Sequence, residues 1–192
     1  MSTDVSPQVT PDELLTHPQE KDYELIDGEL VERNMSEESD LIALQLAAEI
    51  YMVVKRTGAG WVYGGEAGFL CRSTGDIRVR KPDAAFILRS RLPHGPRKRG
   101  YGEVIPDFVA EVVSPNDLAS DVDAKVQEWL AEGVKVVWVV WPETRAVDVH
   151  RPGKDTHRVE EGEDLTLDMI PEFRCPVSDI FPPRAETENT SS

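Results

Sequence analysis

The pattern of apolar and polar residues along the chain predicts an α/β protein with a mixed sheet. Two nearly continuous apolar runs, 108–113 and 134–141, have the length and composition of central strands buried on both faces. Between them, apolar residues at helical spacing predict a helix over about 119–132, closed by Gly133. This strand–helix–strand order indicates two parallel strands joined by a right-handed crossover.

The rest of the chain predicts shorter elements around this unit. Thr10 begins a short helix, Asp27-Gly28 turns a hairpin, and Ser36 caps a long helix that runs to about residue 56. Apolar residues of the long helix recur at helical spacing, namely Leu41, Leu44, Ala48 and Met52. Further strands are expected over 61–71 (bulged), 77–79, 83–88 and 145–150, with shorter strands in 156–168 that continue the sheet antiparallel.

The 192 residues predict one domain with polar ends. We expect a disordered lead-in over 1–9, a single domain over 10–182 and a disordered polar tail over 183–192. Residues 89–105 are rich in proline, glycine and basic residues, which predicts a long loop.

Charge is distributed unevenly along the chain. The formal net charge is −15, which argues against tight, non-specific binding to nucleic acid. Residues 72–99, however, carry nine basic and two acidic residues, a local patch that could face an anion. The alternative for this patch is a solubilising loop with scattered positive charge.

Apolar runs and cysteines narrow the class of protein further. The apolar runs are too short for a membrane span, and the polar start of the chain does not have the pattern of a secretory signal. Cys71 and Cys175 cannot form a disulfide framework, and no histidine or cysteine pair has zinc spacing. We therefore expect a cytoplasmic protein without membrane contact.

Three charged residues lie within or beside apolar elements. Glu111 interrupts a predicted central strand, and Lys125 falls on the apolar stripe of the following helix. Asp83 opens another apolar strand. Two carboxylates and an ammonium brought together from neighbouring elements would suit a divalent cation held by oxygen ligands. The alternatives are a structural ion pair or a strand end that reaches water for Glu111, a Lys125 side chain that extends to solvent, and an ordinary strand-initial Asp83.

Several motifs occur in an order that resembles a known family. They are YELIDGELV at 23–31, KPDAAF at 81–86, PDFVAEVVSP at 106–115, WVVWP at 138–142 and DIF at 179–181. In this order they resemble the PD-(D/E)xK nuclease superfamily, and more narrowly the Uma-type ("Uma-two") restriction endonuclease family, over about residues 10–182. The resemblance implies a restriction-endonuclease-like core, in which a central mixed β-sheet is flanked by helices.

The resemblance also implies which residues form the site. Asp83, Glu111 and the carbonyl of Val112 would bind Mg²⁺ or Mn²⁺, and Glu24 would complete the site as an additional acid. The usual position of the superfamily's lysine is occupied by Val113, so Lys125 on the next helix would take that role. The catalytic candidates are therefore Asp83, Glu111, Lys125 and Glu24.

The implied function is metal-dependent hydrolysis of phosphodiester bonds in DNA by an endonuclease. The basic loop would hold the DNA backbone through Arg89, Arg91, Arg97, Lys98 and Arg99. A homodimer is possible, because nucleases that cut both strands often pair. One alternative is a catalytically inactive nuclease-fold domain that binds nucleic acid or a protein partner; another is a hydrolase with a different substrate.

Overall fold

The computed structural model describes residues 8–73, 75 and 77–184. The ends assigned above to the lead-in and the tail therefore lie largely outside the described residues. The helices are α1 (Pro11–Leu15), α2 (Glu37–Thr57) and α3 (Ala119–Ala131). The strands are β1 (Tyr23–Ile26), β2 (Glu29–Glu32), β3 (Gly60–Gly64), β4 (Phe69–Cys71), β5 (Arg78–Arg80), β6 (Ala84–Leu88), β7 (Phe108–Val112), β8 (Val136–Trp141), β9 (Ala146–His150), β10 (His157–Val159), β11 (Asp164–Leu167) and β12 (Ile170–Pro176).

The central sheet has six strands in the order β10-β9-β8-β7-β6-β3. Strands β7 and β8 are parallel, as the crossover through α3 requires, and the other neighbours are antiparallel. One face of this sheet packs against α2, and α3 lies on the other. A mixed central sheet flanked by helices is the fold class that the sequence predicts.

The smaller sheet has the strand order β2-β1-β5-β4. Its hairpin β1–β2 turns through Asp27 and Gly28, with φ of 51° and 82°, the left-handed values that a tight two-residue hairpin turn needs. The predicted Asp-Gly hairpin is thus confirmed. Strand β5 carries Arg80 directly beside this hairpin, because Val79 pairs with Leu25.

Two strand predictions were wrong. The single bulged strand expected over 61–71 is two strands, β3 and β4, which belong to different sheets. The chain passes from one sheet to the other over residues 65–68, and at Gly68 it lies so close to Tyr101 that a Cβ would come within 2.6 Å of the ring. In the region 156–168, β10 does continue the central sheet, but β11 pairs with β12 in a separate hairpin.

Helix α2 begins at the predicted Ser36 cap and ends before Gly58, whose φ of 70° suits a helix terminus. Its buried side chains are Ser39, Ile42, Ala43, Leu46, Ile50 and Val54. The apolar stripe quoted from the sequence lies on the other side of the helix, where Leu41, Leu44 and Met52 are exposed. Helix α2 therefore has two apolar faces, and only one of them packs on the sheet.

Candidate active site

The pairing of β6 with β7 brings Asp83 and Glu111 to the same edge of the central sheet. These strands are antiparallel, with Ala84 opposite Ala110, so the residue before β6 lies beside the end of β7. The backbone N–H of Val112 donates to Asp83 Oδ2 at 2.7 Å. Strand alternation places Asp83 and Glu111 on the sheet face that is covered by α3.

Asp83 has a second partner that the sequence analysis did not identify. Arg33, which directly follows β2, donates from Nη2 to Asp83 Oδ1 at 3.2 Å. Both side chains are largely buried, so this is a partly desolvated ion pair. Each Asp83 oxygen accepts one hydrogen bond here and retains a second lone pair.

Glu111 is held by α3. The indole of Trp129 donates from Nε1 to Glu111 Oε1 at 2.8 Å, and Lys125 Nζ lies 3.6 Å from Oε2. The carboxylate in the middle of an apolar strand is therefore partnered, and one of its oxygens is directed towards the ammonium. Trp129 contributes to the apolar core and to this hydrogen bond at once.

Lys125 lies between two carboxylates. Its Nζ is 3.6 Å from Glu111 and 3.8 Å from Glu24, so the predicted inward direction of this side chain is what the structure has. The negative charge of Glu111, followed by those of Glu24 and Asp83, raises the pKa of Lys125 above its usual value. Lys125 is therefore an ammonium at neutral pH, which can donate hydrogen bonds and offset negative charge.

Glu24 is fixed by a buried ion-pair network. Its Oε1 accepts from the backbone N–H of Lys81 at 2.7 Å, and its Oε2 accepts from Arg80 at 2.9 Å. Arg80 also binds Glu128 of α3, with Nη2 2.5 Å from Oε2. Burial favours the neutral carboxyl, but the charges of Lys125 and Arg80 prevail and lower the pKa of Glu24.

A small cavity of about 40 Å³ opens at the meeting point of these groups. Its lining comprises Arg33, Asn34, Asp83, Glu111, Val112, Val113, Asp117, Asp121, Val122 and Lys125. Asp83, Glu111, Lys125 and Val112 thus lie together around this cavity. Glu24 does not line this cavity, and it reaches the site through Lys125.

The Asp83 carboxyl at this cavity has a perturbed pKa. Burial, followed by the negative charge of Glu111, raises the pKa of Asp83 from 3.8 to about 7, while Val112 N–H, Arg33 and Lys125 act in the opposite direction. Two carboxylates that disfavour each other's charge are a common feature of sites that bind a cation or a proton.

The donor set at this cavity fits one hard divalent cation. Asp83 retains free lone pairs, and Lys125 Nζ lies 3.6 Å from Glu111 Oε2. The cavity volume of about 40 Å³ exceeds the roughly 10–15 Å³ that a single water molecule or ion needs. Carboxylate and carbonyl oxygens are the ligands that Mg²⁺ and Mn²⁺ prefer. Within the part of the chain that the structure describes, no three His, Cys, Asp or Glu side chains form a metal cluster, so protein carboxylates would supply only two ligands.

The basic loop lies partly away from the cavity. Strand β6 separates Asp83 from Arg89 by six residues, or about 20 Å of extended chain. Arg89 stacks on the ring of Trp61 at 4.8 Å, and Arg91 lies 3.1 Å from the buried Asp107. These two predicted DNA contacts are not brought together with the carboxylates.

The later basic residues of the loop are more available. Arg97 lies 2.5 Å from Glu103, whereas Lys98 and Arg99 are exposed. The loop then returns to the β4 region, where Gly102 exchanges backbone hydrogen bonds with Gly68 and Leu70. Of the five predicted contacts, Lys98 and Arg99 remain the clearest candidates for a polyanion.

The residues missed by sequence reasoning are the cations and donors around the carboxylates, namely Arg33, Arg80 and Trp129. Arg33 is one of only two basic residues among the first fifty, but nothing in the sequence places it beside Asp83. Trp129 was assigned to the core from its helical spacing, which is right but incomplete. Nothing in the sequence indicates that its indole N–H meets Glu111.

The chain is an α/β domain in which a mixed central sheet is flanked by helices, and two carboxylates and an ammonium meet at the edge of this sheet. A family model described as "Putative restriction endonuclease", Uma2, matches residues 11–178, and the chain belongs to this family. The family predicted from the motifs is therefore confirmed.

A solved structure from Anabaena variabilis ATCC 29413 is similar to this fold. It is described as a "putative nuclease belonging to DUF820" and superposes with a TM-score of 0.75 at 23% sequence identity. The alignment covers 90% of this chain and 97% of the Anabaena chain. A comparison with curated proteins found no match. Among the described residues, no helix combines the length and the apolar character needed to cross a bilayer.

Proposed function

We propose that the protein is an endonuclease that hydrolyses phosphodiester bonds in DNA with the help of Mg²⁺ or Mn²⁺. The observation that carries this proposal is the convergence of Asp83, Glu111 and Lys125 on one cavity at the edge of the sheet. Membership of a family described as restriction endonucleases supports DNA as the substrate.

Asp83, Glu111 and the Val112 carbonyl would hold the metal ion. A divalent ion there would lower the pKa of a water nucleophile and offset negative charge that develops on the phosphoryl oxygens. Glu111 remains oriented by the indole N–H of Trp129, and Asp83 by the backbone N–H of Val112. Both carboxylates are thus fixed before a substrate binds.

Lys125 would act on the phosphate as a hydrogen-bond donor. Its raised pKa keeps it protonated, so it is suited to stabilise a more negative transition state and unsuited to accept a proton from water. Glu24 and Arg80 would position Lys125, because Glu24 is anchored by Arg80 and lies 3.8 Å from the ammonium. In this assignment Glu24 is a positioning residue.

Arg33 would change partners when DNA binds. In the structure its guanidinium pairs with Asp83 and lines the cavity. A phosphate at the mouth of this cavity would offer the guanidinium of Arg33 a bidentate partner, and Asp83, once released from Arg33, would be free to hold the metal ion. This exchange would couple metal binding to substrate binding.

One observation favours the second candidate function, a nuclease-fold domain that binds without cleaving. Arg33 and Lys125 already lie beside the two carboxylates, so the protein itself supplies part of the positive charge that a metal ion would bring. Such a domain would keep Lys98 and Arg99 for nucleic acid or use another surface for a protein partner.

Cleavage assays on supercoiled, linear and single-stranded DNA with Mn²⁺ or Mg²⁺ test the proposal. Wild type is expected to cleave at least one substrate, with loss in EDTA and a drop of at least about 100-fold in Asp83→Asn and Lys125→Met, the scale of a lost electrostatic stabiliser. The matched control is Asp168→Asn, whose carboxylate is 83% exposed and should leave the rate unchanged. No cleavage of any DNA by wild type, or equal cleavage by all variants, would overturn the proposal.

A further inference from the structure

The outer face of α2 carries an apolar stripe that is exposed in the described part of the chain. Leu44 is 64% exposed and Met52 is 65% exposed, while Leu41 and Tyr51 are exposed by more than two-fifths. The opposite face of the same helix packs against β3, β6, β7 and β12. A helix with one satisfied apolar face and a second apolar face in solvent is typical of an interaction surface.

The spacing of this second face is that of a coiled-coil seam. The residues along its centre line, which we name the α2 seam, are Glu37, Leu41, Leu44, Ala48, Tyr51 and Lys55. They are separated by four, three, four, three and four residues, the a/d alternation with which one helix packs against another. A second helix is therefore the element that would pack along this seam.

The ends of the seam indicate which helix this is. An acid, Glu37, begins the seam, and a base, Lys55, ends it. A second α2 laid antiparallel on the first would place each Glu37 opposite Lys55 of the other copy. In a parallel pair, like charges would face each other at both ends.

The apolar positions match in the same antiparallel arrangement. Rotation about a two-fold axis at the middle of the seam places Leu44 opposite Ala48 of the other copy, and Leu41 opposite Tyr51. Each large side chain then meets a smaller or a planar one. A surface that complements itself across a two-fold axis is what a closed symmetric dimer requires.

We propose that the protein forms a symmetric homodimer through the α2 seam, with the two α2 helices antiparallel. The seam spans about 27 Å of helix and is about 10 Å wide, so it covers about 270 Å² on each partner. This area is smaller than the roughly 800 Å² per partner of a standard interface. An interface below the standard size predicts a dimer that dissociates on dilution, so its population depends on protein concentration. The proposal does not depend on DNA cleavage.

Sedimentation equilibrium of the full chain, across the micromolar range, tests the dimer. Wild type is expected to shift from 21.5 kDa towards twice that mass as concentration rises. Leu44→Glu places two carboxylates at the centre of the seam and should weaken association at least about tenfold. The matched control is Leu118→Glu, since Leu118 is also 64% exposed but lies outside α2. A wild type that stays monomeric, or a Leu44→Glu variant that dimerises like the control, would overturn the proposal.

Exchange of the terminal charges tests the antiparallel geometry. Glu37→Lys and Lys55→Glu should each weaken the dimer several-fold, because each places like charges opposite one another at both ends of the seam. The double variant Glu37→Lys/Lys55→Glu should recover the wild-type dissociation constant. Failure to recover, with thermal unfolding of all three variants unchanged, would exclude the antiparallel seam.

Discussion

The raised pKa of Asp83 makes the stability of the metal-free protein depend on pH in a defined way. Its carboxyl is buried next to Glu111 and titrates at about 7 instead of near 3.8. A carboxyl with a raised folded-state pKa binds its proton more tightly in the folded than in the unfolded chain. It therefore stabilises the fold fully below pH 4, and this stabilisation is lost as pH rises through 7.

The size of the effect follows from the distance between the measuring pH and the pKa. At pH 5 the folded carboxyl is protonated, and the unfolded one is mostly ionised; at pH 8 both are ionised. The two pH units between 5 and the pKa of about 7 correspond to about 2.7 kcal/mol, at 1.36 kcal/mol for each unit. Other groups add their own pH dependence, so wild type alone would not isolate Asp83.

The perturbation that isolates Asp83 is Asp83→Asn, measured in EDTA by urea unfolding at pH 5 and pH 8. The amide cannot titrate, although it loses one acceptor for Arg33 or the Val112 N–H at a cost of about 1 kcal/mol at both pH values. From pH 5 to pH 8, wild type should therefore lose about 2.7 kcal/mol more than the variant. A parallel pH dependence of the two proteins would refute the reasoning.

Addition of Mn²⁺ at pH 8 extends the same experiment to the proposed metal site. A ligand that binds only the folded chain stabilises it by about 2.7 kcal/mol at 100 times its dissociation constant. Wild type should gain stability and Asp83→Asn should not. Stabilisation of both proteins to the same extent would place the metal elsewhere.

Three further predictions concern the residues around the cavity. Arg80→Ala should lower the free energy of unfolding by roughly 3–5 kcal/mol, because Glu24 and Glu128 would remain buried without their cation. In the same urea titration, Arg158→Ala on the surface should cost less than about 1 kcal/mol. Similar losses in the two variants would contradict the buried network around Arg80. Glu24→Gln should lower kcat for DNA cleavage without changing Mn²⁺ affinity in calorimetry, since it contacts Lys125 and does not line the cavity; a weakened Mn²⁺ affinity would instead make it a ligand. Lys98→Ala and Arg99→Ala should each reduce the magnitude of the slope of log affinity for DNA against log salt concentration by about 1. Arg89→Ala should reduce it by less, because Arg89 stacks on Trp61. Slopes equal to that of wild type in all three variants would show that the loop does not contact DNA.

Local signals predicted most of the elements because their causes lie within a few residues of each other. The Asp27-Gly28 turn needs two left-handed residues, and the Ser36 cap and Gly58 delimit α2 by the chemistry of helix ends. The central strands β7 and β8 were recognisable because parallel strands covered on both faces must be apolar throughout. These features depend on no distant partner.

The face that α2 buries could not be predicted, because it depends on contacts with distant parts of the chain. Ile42, Leu46 and Ile50 recur at helical spacing, and so do Leu41, Leu44 and Ala48 on the other side. Periodicity identifies an apolar face but does not say what covers it. With two candidate faces, the choice depends on the shape of the sheet, which is a property of the whole chain.

The sequence likewise predicted some residues of the candidate site and missed their partners. Asp83, Glu111 and Lys125 stood out because each is a charge inside or beside an apolar element, where an unpaired charge is costly. Their partners Arg33 and Arg80 did not stand out, because a charged residue near a turn or on a short strand is unremarkable by itself. The Arg33–Asp83 contact joins residues fifty positions apart, and only the folded chain shows it.

The arrangement of charge at the cavity favours a functional site over a purely structural ion-pair network. Arg80 is shared by Glu24 and Glu128 and makes short contacts with both, as a structural bridge should. Asp83 differs, because its carboxyl keeps a pKa near 7 despite Arg33 and Lys125. A network selected for stability alone would be better served by an amide or an apolar residue there. Retaining two mutually repelling carboxylates beside a cavity has a physical reason if a cation occupies it during function.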